Sequence, residues 1–129
     1  MDIIFRKDKD GSCNVEFFNR ECSNNEVIIG IFFDFYGEYA ASCFLEDYER
    51  ICRNEMPHDE QMDYDFSDFI SGKLTREFVL LVPDGPIDSR KYHVETESLV
   101  MAIKKWQKFI SSEVPNSSEV VSINASAVD

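Results

Sequence analysis

VIIGIFFDFY, residues 27–36, is the stretch on which the fold turns. Its near-continuous run of Val, Ile and Phe has the composition of a central, fully buried strand. Period-two counting sets Ile29, Ile31, Phe33 and Phe35 on one side and Phe32, Asp34 and Tyr36 on the other. Gly30 marks a bulge or a close approach of neighbouring backbone. With this strand in the middle, the chain predicts an α+β fold: one antiparallel sheet of about five strands, with two or three helices packed on one face.

Upstream, DIIFRK and SCNVEFFN flank KDKDG, and the pair Asp10-Gly11 supplies the positive backbone angles of a tight hairpin. Downstream, SCFLEDYERICRNEMP predicts a helix with Ser42 as N-cap, a buried stripe of Phe44, Leu45, Tyr48, Ile51 and Cys52, and Pro57 as its stop. Glu46 with Arg50 and Glu49 with Arg53 stand at i,i+4, the spacing of local ion pairs. REFVLLV and RKYHVE, separated by PDGPIDS, predict a second hairpin. TESLVMAIKKWQKFIS is the clearest helix, with Leu99, Ala102, Ile103, Trp106, Phe109 and Ile110 on one face. Trp106 is expected to anchor it against residues 26–36 and 76–82. Residues 1–111 form one globular domain in this reading, and 112–129 a loosely attached tail.

The length of 129 residues suits a single domain able to bury about 68 % of its unfolded surface, and 11 Phe with 5 Tyr exclude a disordered acidic tail. A net charge of −12 argues against nucleic acid and anionic membrane as partners. MDIIFRKDKDGS lacks the apolar core of a signal peptide, and no run approaches membrane-spanning length, so a cytoplasmic address is expected. There Cys13, Cys22, Cys43 and Cys52 stay reduced and pack as small hydrophobes.

Signatures of chemistry are few. Asp8-Lys9-Asp10-Gly11 has the centre of a calcium loop, but aligning Gly11 with the loop glycine puts Arg6 and Phe17 at its end ligands. His58 and His93 have no close partner for zinc, and no nucleophile elbow or phosphate-cradling glycine loop is present. Asp63, Asp65 and Asp68 are near enough in sequence to divide acid and base roles, yet a domain of this size rarely walls in a catalytic cleft. The expectation is a protein without catalysis, cofactor or metal.

The charge is instead concentrated. Residues 34–68 hold 11 acids against Arg50 and Arg53 alone, and NEMPHDEQMDYDFSDFISG, residues 54–72, carries six carboxylates with no cation. Its period fits both helix and strand; a short helix ending at Gly72 is expected. Like charges such as Asp59 and Asp63 at i,i+4 destabilise a helix, and mixed charges would give solubility at less cost. A one-sign run interleaved with aromatics points to a face that docks a basic protein. Asp59, Glu60, Asp63, Tyr64, Asp65, Phe66 and Asp68 are its expected residues, on a chain that is monomeric when free. The alternatives are a carboxylate-dependent hydrolase and an oligomeric module that associates through Phe32 and Tyr36.

In this order of elements, closing on SLVMAIKKWQKFI, the chain resembles over residues 1–111 the immunity proteins of bacterial toxin systems, including those of contact-dependent growth inhibition. The resemblance implies a non-catalytic inhibitor that binds a cognate basic toxin domain, often a nuclease. It carries no site residue onto this sequence.

Overall fold

A computed structural model describes residues 1–17, 26–34, 38–55, 62–67, 70–84 and 90–128. The first hairpin forms as the sequence predicts. Strand β1 (Asp2–Lys7) pairs antiparallel with β2 (Cys13–Phe17), from Ile3 opposite Phe17 to Lys7 opposite Cys13. Of the Asp10-Gly11 pair only Gly11 takes a positive φ, +89°. Its amide donates to the Asp8 carbonyl, and the Ser12 amide donates to Asp10 Oδ1 at 3.0 Å, which holds the Asp10 carboxyl below its ordinary value.

The residues that follow correct the central expectation. Glu26–Asp34 is a helix, α1, and no strand. Ile28, Ile31 and Phe32 are fully buried, and α1 packs against β2 as well as against four strands of a second sheet, at residues 62–67, 70–74, 78–83 and 91–95. The physical reason is backbone accounting. A strand here would need a ladder partner, whereas a helix satisfies its own N–H and C=O groups and can lie among strands that are already paired. Gly30 marks neither a bulge nor a close approach of backbone: it lies within α1, where a Cβ would come 2.7 Å from a side-chain atom, Cδ1 of Ile70, which packs onto the helix. Phe32 belongs to the core, so it offers no surface for self-association; Tyr36 lies outside the described residues.

Helix α2 (Glu38–Cys52) leads to β3 (Met62–Ser67), β4 (Ile70–Leu74), β5 (Phe78–Pro83) and β6 (Lys91–Glu95), and helix α3 (Thr96–Ser111) follows directly. The β5–β6 hairpin and α3 match the sequence prediction. Ser42 is an interior residue of α2, four positions beyond its start, and not its N-cap. Where a helix ending at Gly72 was expected, β3 and β4 form an antiparallel hairpin and Gly72 sits in mid-strand. A Cβ at Gly72 would collide with the backbone of Leu80 and meet the ring of Phe66 at 3.3 Å, so only glycine permits this close packing.

Within the expected tail of residues 112–129, the described residues up to 128 are not loosely attached. β7 (Ser118–Ser122) adds to the free side of β1, and β8 (Ala125–Val128) adds to β6. The described residues thus form two antiparallel sheets, β2-β1-β7 and β3-β4-β5-β6-β8, with three helices, in place of the single sheet expected. Between β7 and β8, Ile123 is buried and exchanges hydrogen bonds with Met1, while Asn124 bonds Glu95 and Ser98. One segment thereby stitches the sheets together.

Trp106 is 1 % exposed. Its ring centroid lies 4.9 Å from Phe5 and 6.1 Å from Phe32, so it anchors α3 to β1 and α1, while α3 also touches β5, β6 and β7. Beside it Lys7, 5 % exposed, donates from Nζ to the carbonyls of Phe109 and Ser112 at the end of α3. A buried cation at this helix terminus answers both the orphan carbonyls and the macrodipole.

Candidate functional site

Helix α2 is built from an apolar stripe and an acidic outer side. Ala41, Phe44 and Ile51 are buried, Leu45 and Tyr48 half-buried, and Glu46 and Glu49 exposed. Burial and a hydrogen bond with Cys52 push the Tyr48 hydroxyl up to about 12. Cys13, Cys43 and Cys52 are free, half-buried thiols.

The helix ends earlier than Pro57, at Cys52, and Asn54 just beyond it, with a φ of 60°, reverses the chain. The Asn54 amide donates to the Ile51 carbonyl and the Glu55 amide to that of Arg50, a left-handed cap that asparagine accepts more readily than most residues. This turn has an electrostatic consequence. It brings Glu55 back to the helix, where Arg53 Nη2 lies 3.2 Å and Arg50 Nε 4.0 Å from its carboxylate. The expected pairs Glu46–Arg50 and Glu49–Arg53 are therefore replaced, and Glu46, Asp47 and Glu49 have no cation partner among the described residues.

Strand β3 lies at one edge of the five-stranded sheet, with Asp63 opposite Lys73, Asp65 opposite Ser71, and a register shift between Asp65 and Ser67. Phe66 is 3 % exposed, with its ring 6.0 Å from that of Phe44. It is thus no anchor for a partner in this structure: it couples β3 to α2. Of the expected face, Asp63, Tyr64 and Asp65 lie on β3, while Asp59, Glu60 and Asp68 lie outside the described residues. Through the Phe44–Phe66 contact the buried side of α2 touches β3. Charges on an edge strand also discourage strand addition by another chain, so they serve stability against aggregation whatever else they do.

Sequence reasoning missed Glu46, Asp47 and Glu49, because their spacing from arginine made them look neutralised. The signal that could have found them is Arg53-Asn54-Glu55, with a left-handed former directly behind the helix. Among the described residues, no group of three or more His, Cys, Asp or Glu is placed to hold a metal ion. No described helix is long and apolar enough to cross a membrane. No protein-family model, curated protein or solved structure matches the chain.

Proposed function

We propose that this chain is a non-catalytic inhibitor of the immunity type, acting in the bacterial cytoplasm, which neutralises a basic toxin domain through the acidic surface of α2 and β3. A nuclease is the partner class whose own substrate surface is cationic, and so the class best matched by this charge. One observation supports the reading above the others: Glu55 draws both Arg50 and Arg53 to itself, leaving Glu46, Asp47 and Glu49 without a cation partner among the described residues, in the third of the chain that also carries Asp63 and Asp65. Uncompensated like charge costs the free protein stability, and that cost is recovered when a partner supplies the other sign. The interface in this reading comprises Glu46, Asp47, Glu49, Asp59, Glu60, Asp63, Tyr64, Asp65 and Asp68, without Phe66. The free inhibitor is a monomer, and it takes no cofactor, nucleic acid or membrane.

The test begins with the reading frame upstream of the gene. Its product, if it is an exported protein with a variable C-terminal domain, is expressed as that domain and mixed with this chain. Association is expected to fall steeply with salt, and Glu46→Lys with Glu49→Lys to slow it about tenfold at low salt. A partner that binds with a salt-independent rate, or a double variant that associates like wild type, overturns the assigned surface.

A further inference from the structure

The outer side of α3 has the opposite sign. Lys104, Lys105 and Lys108 are exposed, and none has a carboxylate within ion-pair distance among the described residues, in a chain with 25 acids. The macrodipole accounts for Lys108, which stands in the last turn of the helix. Its influence is confined to that turn, so it does not account for Lys104. Lys104 and Lys108 are moreover an i,i+4 pair of like charge, which destabilises a helix unless an anion sits between them.

These two lysines line a cleft of about 440 Å³ between α2 and α3, together with Ser42, Gln107 and Ser111. It is an open groove, with every lining residue except Gln107 exposed, so a ligand there would be held by its charge and hydrogen bonds and not by enclosure. Its donors can be counted. Gln107 Nε2 donates one hydrogen to Ser42 Oγ at 3.5 Å, which leaves its second N–H and the Ser42 hydroxyl proton available. Ser111 has committed its proton to the Gln107 carbonyl at 2.8 Å. Two lysines and two neutral donors thus line one space from two helices. A single carboxylate would leave one ammonium unmatched, whereas a phosphate presents two negative charges and several acceptor oxygens. The site also limits its ligand's length. Glu46 stands one turn beyond Ser42 on α2, so an extended polyanion running along the helices would meet a carboxylate.

We propose that the cleft between α2 and α3 binds a small phosphate-bearing molecule, held by Lys104 and Lys108 from one helix and by Ser42 from the other. The site is separate from the acidic surface and does not depend on its role. Titration of the full chain with inorganic pyrophosphate, followed through backbone amide shifts, is expected to give saturable changes centred on Ser42 and residues 104–111. Lys104→Gln with Lys108→Gln should weaken binding about tenfold or more. Ser42→Glu, which places a carboxylate in the cleft and leaves both lysines intact, should do the same. Lys9→Gln, a charge loss in the exposed hairpin loop, should leave binding unchanged. All these positions are exposed, and melting curves check that each variant is folded. Shifts that never saturate, shifts that spread equally to Lys9 and Lys91, or equal weakening by Lys9→Gln would reduce the cleft to a general counter-ion surface and overturn the proposal.

Discussion

Helices α1 and α3 both touch strands of both sheets, yet they meet water differently. None of residues 28–32 in α1 is exposed, while α3 alternates buried Leu99, Ala102, Ile103, Trp106 and Phe109 with exposed Met101, Lys104, Lys105 and Lys108. The 3.6-residue pattern of α3 is thus the imprint of its wet side, and a helix with no wet side leaves no such imprint. With Ile28, Ile31 and Phe32 buried and Ile29 and Gly30 half-buried, this part of α1 shows no exposed side and so reads as a strand, although its backbone bonds are those of a helix.

The comparison breaks most visibly under a charge. Ile31→Lys buries an ammonium with no partner, at a cost of several kcal/mol against a total stability of about 5–15 kcal/mol, and is expected to unfold the protein. Met101→Lys, at a position 53 % exposed, should stay within about 0.5 kcal/mol of wild type. Urea denaturation of the two variants reads the contrast. A folded, wild-type-like Ile31→Lys would show that α1 has an open side after all.

Removing one ring from each helix sharpens the same comparison. Phe32→Ala and Trp106→Ala should each cost about 3–5 kcal/mol. Because the two rings stand 6.1 Å apart and share Phe5 as a neighbour, the double variant should cost less than the sum, with a coupling of about 0.5–3 kcal/mol. Strict additivity would mean that the helices pack independently.

The smallest effect lies on α2. Tyr48 is held neutral in the folded protein up to about 12, above its unfolded value of about 10. Its contribution is therefore complete below pH of about 10 and is lost as pH rises through about 12. Tyr48→Phe should flatten that part of the stability profile, and an unchanged alkaline profile would remove Tyr48 from the packing between α2 and its surroundings.

How legible a segment is in the sequence follows from how locally it is decided. The β1–β2 hairpin, the β5–β6 hairpin and α3 each carry their own signal: Asp10-Gly11, the Pro-Gly turn region and a two-sided helix. β3 could be read either way until β4 supplied a partner and Gly72 let the strands pack against Phe66 and Leu80. β7 and β8 are short, five and four residues, and β7 finds its partner in β1 more than a hundred residues away, so no local pattern announces either. For the candidate surface, the single-sign run was plain, but which carboxylates stand uncompensated depended on the turn at Asn54 and the side-chain geometry around Glu55.

By itself, then, the sequence determined the mixed α+β class, the elements with a dry and a wet side, and the place where negative charge accumulates, since these follow from composition and short-range period. Only the tertiary structure decided that residues 26–34 coil, that the last residues sew two sheets together, and that Phe66 faces inward. Those outcomes depend on which distant groups satisfy a backbone or cover a side chain, and chain-local propensities of a few tenths of a kcal/mol per residue are too weak to settle them.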